Sequence, residues 1–232
     1  MDFNIGIFAV VEILGFPIYI TETLVNMWIV MAILIVFAVV VRLKLTYTTS
    51  PKGLQNVAEF MVETFDRFVR NSAGNKVAYL GNWFFAVFLI ILLSNIGGLF
   101  FRPPTADWAF TFPLALVTLV LIHVMSLRYN TKEHLRSFVV QPFPYLYPVN
   151  FLLNLIGEIA RPISLSFRLF GNVLGGMVLI SLIYGIAPIP ARILFPAALH
   201  GYFDVAMGVL QAFVFTVLSL SFIGAIAETT ES

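Results

Sequence analysis

The chain has 232 residues, of which 60% are hydrophobic and 11% charged, with a mean hydropathy of +0.96 and a formal net charge of +1. A soluble domain carries about 25% charged residues, so this composition excludes one and describes an integral membrane protein with room for about five or six spans. The absence of cysteine excludes disulfides, thiolate metal sites and thiol chemistry.

Residues 1–23 hold Asp2, Glu12 and Glu22 and no basic residue, so no cleavable signal peptide is expected. Pro17 argues against a single helix, and the segment reads as external and interfacial. The first span covers 24–44. Its uncharged part, Leu24 to Val41, is about 27 Å long as a helix and matches a hydrocarbon core. Arg42 and Lys44 follow and mark the cytoplasmic side, which puts the N-terminus outside.

Residues 45–82 form an amphipathic region opened by the breaker TTSPKG. Leu54, Val57, Phe60, Met61, Phe65, Phe68 and Val69 recur at helical spacing, with Glu59, Glu63, Asp66, Arg67 and Arg70 on much of the other face. Such a helix lies on the cytoplasmic interface or against a partner, and the two readings are compatible. A two-span hairpin occupies 83–127, with spans Trp83–Phe101 and Ala109–Leu127 and an external loop stopped by Pro103 and Pro104. In its first arm Ser94, Gly97 and Gly98 allow close packing, and Asn95 either lines a polar path or makes an interhelical hydrogen bond. In its second arm His123 is the sole ionisable residue and reads as interfacial.

Residues 128–150 read as a cytoplasmic linker that ends in the proline-rich QPFPYLYPVN. Residues 151–227 read as two long helices. The first, Phe151 to Tyr184, would be about 51 Å long, well beyond the roughly 30 Å of an upright span. It must be tilted or bent; Pro162 loosens it, and Gly171, Gly175 and Gly176 permit close approach by a neighbour. GIAPIPARILFP is the external turn, and a second helix of similar length follows from about Ile193 to Ala227. The tail 228–232 is cytoplasmic. Arg42, Lys44, Lys52, Arg67, Arg70, Lys76, Arg128, Lys132 and Arg136 fall on the assigned cytoplasmic side, against Arg102 and Arg192 outside. The fold class is therefore all-α, with five membrane-crossing helices and one amphipathic helix.

The functional residues lie on the two long helices. At 100° per residue, Asn154, Glu158, Arg161, Leu165, Arg168, Asn172 and Gly176 share an arc of about 80°, and His200, Asp204 and Gln211 one of about 40°. Two narrow polar stripes on apolar helices are expected to face each other or a water-filled cleft. Arg168 cannot shed its proton and is costly in a bilayer, by about 2.5–3.5 kcal/mol on insertion scales, so it points to function. Glu158 and Arg161 are spaced to pair. Asp204 lies deeper, with no basic partner expected on its own helix. One fixed cation, two carboxylates, a histidine and several amides suit ion or proton movement. No nucleophile triad, phosphate loop or HExxH motif is present, and no metal or cofactor is expected.

The run SLSFRLFGN at 164–172, with Glu158 and Pro162 upstream and LQAFVFTVLSL at 210–220, strongly resembles subunit a of the membrane sector of bacterial F-type ATP synthases. The resemblance implies a multi-pass plasma-membrane stator subunit set against a ring of c subunits. It further implies b-type stator subunits, the F1 catalytic head and membrane lipid as partners, and no nucleic acid. Two offset half-channels would carry protons to and from a ring carboxylate. Arg168 would be the essential arginine between them, with Asn172 and Gln211 as the amides beside it. The catalysis would belong to the assembly, since this chain has no nucleotide site. Two positions depart from the family pattern. Met177 stands where many members carry a glutamate and Asp204 where they carry its histidine partner, so Asp204 becomes the expected protonatable residue of the outer path. Asn154 replaces an acidic residue of the cytoplasmic exit, a role Glu158 could take. A small secondary transporter would more comfortably show internal repeats, none of which is visible. A purely structural scaffold would leave Arg168 idle.

Overall fold

The computed structural model describes residues 6–13, 16–45, 53–140, 147–186 and 188–228. The expected breaker before the amphipathic helix, most of the proline-rich turn at 141–150 and the end of the tail lie outside them.

The chain opens with a two-stranded antiparallel hairpin, β1 (Ile7–Ile13) and β2 (Phe16–Thr21), in which Val10 faces Tyr19 and Glu12 faces Pro17. The β-branched run in IFAVVEI favours a strand, and a two-stranded ribbon has only edges, where a proline is tolerated. Helix α1 (Glu22–Lys44) follows directly, with the Thr21 hydroxyl accepting from the Leu24 N–H at 3.4 Å. Glu22 in its first turn and Arg42 and Lys44 in its last complement the helix dipole.

Helix α2 (Leu54–Ala73) is the amphipathic one. Its C-terminal half packs on the bundle, where the Phe65 ring meets those of Phe85 and Phe88 and the Phe68 ring meets that of Phe213. Its N-terminal half leaves Leu54, Val57 and Phe60 exposed. A 3₁₀ turn (Asn75–Leu80) leads into α3 (Gly81–Ile96). Helix α4 (Trp108–Val140) runs well past the expected end of its span at Leu127, so the first part of the supposed linker is helix. Helix α5 (Tyr147–Ile186) has 40 residues and tolerates Pro162 inside it.

The expected external turn after α5 is much shorter than GIAPIPARILFP suggested. Pro188 caps α6 (Ile189–His200), with Pro190 in the first turn, where a proline N–H is not needed. A π-helical turn (Gly201–Ala206) joins α6 to α7 (Met207–Glu228), so the second long element is helical throughout with a change of pitch in the middle.

Among the described residues, five helical stretches are long and apolar enough to cross a membrane: Glu22–Lys44, Ala78–Leu99, Trp108–Met125, Val149–Ile186 and Phe195–Ile223. Helix α7 is the centre of the bundle, touching α2, α3, α4 and α5. Two apolar layers hold it there. Val69, Phe84, Ile122, Met125, Leu220 and Ile223 form one; Val87, Ile91, Ala115, Leu165, Leu169, Ala212 and Phe215 form the other. Because lipid tails are as apolar as these side chains, close packing rather than escape from water selects this arrangement. Helix α1 is peripheral: only 11% of its spanning window is buried, and Asn26 ties it in by donating from Nδ2 to the Arg102 carbonyl at 2.9 Å.

Candidate ion-translocation site

The polar arc of α5 divides by helical phase. Glu158, Leu165 and Gly176 occupy one edge and turn inward; Arg161 and Arg168 occupy the other and are exposed; Asn154 and Asn172 lie between them and are half-buried. Arg168 thus points away from the bundle. Among the described residues it has no hydrogen bond or ion pair. Beside it on the exposed face, Gly171 and Gly175 have, among the described residues, no atom within 4 Å of where a methyl would sit. Of these α5 glycines, Gly176 is the one that meets a described side chain closely: a Cβ there would lie 2.7 Å from Cγ of Phe203. The other two leave a shallow surface next to the guanidinium.

The two stripes meet at Asn172, whose Nδ2 donates to Oε1 of Gln211 at 2.9 Å. Gln211 is 1% exposed, and its Nε2 has no partner among the described residues. About 12 Å further along α5 from Arg168, the Gly176–Phe203 contact seats the π turn. That turn carries Asp204, which is 8% exposed. Its Oδ2 lies 2.6 Å from Nδ1 of His200, one turn earlier. The expectation that Asp204 lacks a basic partner on its own helix is therefore wrong: the i,i+4 spacing places an imidazole on it. Gly98 makes room for the couple, since a Cβ there would stand 3.0 Å from both Cγ and Oδ1 of Asp204. Asn95 makes hydrogen bonds to two other parts of the chain. It is buried, accepts from the Thr105 hydroxyl at 2.6 Å and donates to the Gly208 carbonyl at 3.3 Å, which fastens α3 to α7.

On the other side of Arg168, about 15 Å back along α5, Glu158 accepts from Nη1 of Arg161 on Oε1 at 2.6 Å. The guanidinium of Arg161 lies 5.0 Å from the Phe222 ring centroid on α7. Oε2 of Glu158 faces Nε2 of His123 on α4 at 3.7 Å. His123 read from sequence as merely interfacial; its pairing depends on how α4 packs on α5, which no sequence spacing reveals. No cluster of potential metal ligands occurs among the described residues.

A membrane bundle with a mid-helix cation that no described residue partners, an acid–base couple on one side and an acid–base cluster on the other fits an intramembrane ion-translocating subunit. The chain belongs to the ATP synthase A chain family, which matches residues 24–224 and so includes every site residue above. It is 33% identical over 210 residues to ATP synthase subunit a of Moorella thermoacetica, covering 89% of this chain and 91% of that one. It is also 33% identical over 249 residues to the sodium ion specific subunit a of Propionigenium modestum, covering 96% of this chain and 78% of that one. A third relative, subunit a of a Geobacter species, is 32% identical over 216 residues, covering 90% of this chain and 89% of the other.

Proposed function

We propose that this chain conducts protons to and from a ring of c subunits through two half-channels separated by Arg168, and so couples proton flow to ring rotation. The observation that carries the reading is an arginine on the exposed face of α5 with no partner among the described residues of its own chain. A charge that costs several kcal/mol in lipid is tolerated when its counter-ion comes from outside the chain. Gly171 and Gly175 leave space for that neighbour beside it. A ring carboxylate arriving there loses its proton, because an adjacent guanidinium favours the ionised form. The same fixed charge keeps a cation from crossing between the half-channels.

His200 and Asp204 form the outer entry, with Asn172 and Gln211 orienting water or the ring carboxylate beside Arg168. Glu158, Asn154 and Arg161 line the cytoplasmic side. The distribution of basic residues supports an external N-terminus and a cytoplasmic C-terminus. The lengths of α5 and of the α6–α7 element, against a core of about 30 Å, support strong tilt. The b-type subunits and the catalytic head complete the assembly, in which the chemistry of ATP is done elsewhere.

The test is Arg168→Ala in inverted membrane vesicles. ATP-driven proton pumping disappears while the subunit remains in the membrane and co-purifies with the c ring; normal pumping would refute the mechanism. Sodium coupling is the second reading, favoured by the similarity to a sodium ion specific relative. It predicts pumping that requires Na⁺, whereas proton coupling predicts acidification indifferent to Na⁺.

A further inference from the structure

Helix α1 changes character halfway along. Its buried residues are Asn26 and Val30, both in its first half, and Asn26 is tied to the Arg102 carbonyl at 2.9 Å. From Met31 onward no residue of α1 is buried. There the helix stands off from α2 and α3, and a groove with about 690 Å³ of free space opens among the three. Sites for single organic ligands have about this size. Small residues keep it open, one from each helix: Ala38 of α1, Ala58 of α2 and Ala86 of α3. None of its lining residues belongs to the polar stripes of α5 and the α6–α7 element, so the groove is separate from the proposed ion path.

Polar side chains line the groove at one end only. Arg42 comes from the last turn of α1 and Asn82 from the first turn of α3; the rest of the wall, including Leu34, Phe37, Leu89 and Ile90, is apolar. Arg42 and Asn82 are exposed and, among the described residues, their side chains make no hydrogen bond or ion pair; nor does that of Lys44, two residues beyond Arg42. The acids of α2 are engaged on their own helix: Glu59 accepts from Gln55 at 2.7 Å, Asp66 accepts from Arg70 at 2.7 Å, and Glu63 lies 3.7 Å from Arg67. One end of the groove thus carries positive charge that no described residue offsets. That end is at the membrane surface, where the uncharged run of α1 stops.

Length decides what fits. The groove follows α1 over residues 31–45, about 21 Å, and α3 over residues 82–90, about 12 Å. One leaflet contributes about 15 Å of hydrocarbon. A spanning helix from a neighbouring subunit needs a groove as long as the whole core, and this one closes where α1 packs down at Val30 and Asn26. A water-soluble ligand would find no polar partner along the apolar wall. The matching molecule is apolar over one leaflet and negatively charged at its surface. We propose that the groove binds an anionic phospholipid. One acyl chain lies among Ala38, Ala58 and Ala86, and the phosphate sits at Arg42, with Lys44 and Asn82 beside it. A guanidinium can donate two parallel hydrogen bonds to a phosphate, and basic pockets between spanning helices on the cytoplasmic side favour anionic headgroups.

The experiment is photolabelling of the assembled complex, purified in mild detergent, with a phosphatidylglycerol that carries a diazirine midway along one acyl chain. Label is expected on residues 31–45 and 82–90. Unlabelled phosphatidylglycerol should compete about fivefold more strongly than phosphatidylcholine, the preference that one basic residue near the surface provides. Arg42→Gln should bring the two competitors together. Ala86→Phe should fill the groove and remove the label from it, whereas Val36→Phe, at an exposed position of α1 outside the groove, should leave it. Equal competition by the two lipids in the unaltered complex overturns the proposal, and that comparison needs no variant to assemble. Label undiminished by Ala86→Phe overturns it as well. So does a photoreactive benzoylphenylalanine in place of Ala38 that cross-links to a neighbouring subunit rather than to lipid, which would give the groove to a protein helix.

Discussion

Gly98→Ala is the sharpest probe of the outer entry, because it adds one methyl and no charge. In the structure that methyl would stand 3.0 Å from Cγ and Oδ1 of Asp204 and 3.3 Å from Oδ2. Carbon contacts settle at about 3.5–4.0 Å, so the carboxylate must retreat by roughly half an ångström. Asp204 is buried on the π turn and its neighbour Phe203 is wedged on Gly176, which leaves the backbone little room to follow. The movement therefore falls on the 2.6 Å contact with His200. Overpacking of this kind costs about 1–3 kcal/mol. If all of it is felt by the conducting geometry, pumping falls by about 5- to 150-fold. The assay is ATP-driven pumping by inverted vesicles at matched subunit content. Gly97→Ala is the control: it collides instead with the half-buried Phe101 ring, 2.5 Å away at its nearest atom, and not with Asp204. Pumping by Gly98→Ala within twofold of normal, or equal to that of Gly97→Ala, would refute the claim that the Asp204–His200 contact governs entry.

Further expectations concern the polar stripe and its braces. Asp204→Asn retains the shape but cannot exchange a proton, and should lower pumping by at least about a hundredfold, as loss of a general acid–base group does; vesicle pumping near normal would exclude Asp204 from the path. Asn172→Ala and Gln211→Ala should be non-additive, with a coupling of about 0.5–1.5 kcal/mol for the single hydrogen bond between them, read from pumping rates in a double-mutant cycle. Asn95→Leu should reduce the amount of subunit retained in the membrane rather than the turnover of what remains, because it strands the Thr105 hydroxyl and the Gly208 contact.

The spans were legible because uncharged runs of membrane length have few alternatives, and the two long helices because their runs exceed what one crossing needs. What escaped has a physical pattern. The β-hairpin escaped because Pro17 breaks a helix and is equally at home on an edge strand, so the residue does not distinguish the two. The extension of α4 escaped because Arg128, Lys132 and Arg136 signal the end of a membrane span but are good helix formers, so the span ends and the helix does not. The Asp204–His200 couple was within reach, since the two residues are four apart on one helix and an imidazole pairs with a carboxylate as lysine and arginine do. The His123–Glu158 approach was not within reach, because it joins α4 to α5 and depends on their rotation. The division of the α5 arc into an inward and an outward edge was similarly hidden: phase alone groups Leu165 with Arg168, and only packing sends one in and the other out.

The placing of α7 has a mechanical consequence. On the proposed function, a ring turning against the Arg168 face would drag on α5, and something must resist. The grips between α5 and the α6–α7 element are spread along their length: Arg161 on Phe222, Asn172 on Gln211, and Gly176 under Phe203. Helix α7 is in turn clamped by α2, α3 and α4 through the two apolar layers. Tangential force entering at α5 is thus spread over three braces and absorbed by four helices. Helix α1, mostly exposed and joined to the Arg102 carbonyl through Asn26, is not one of those braces and would not carry that load.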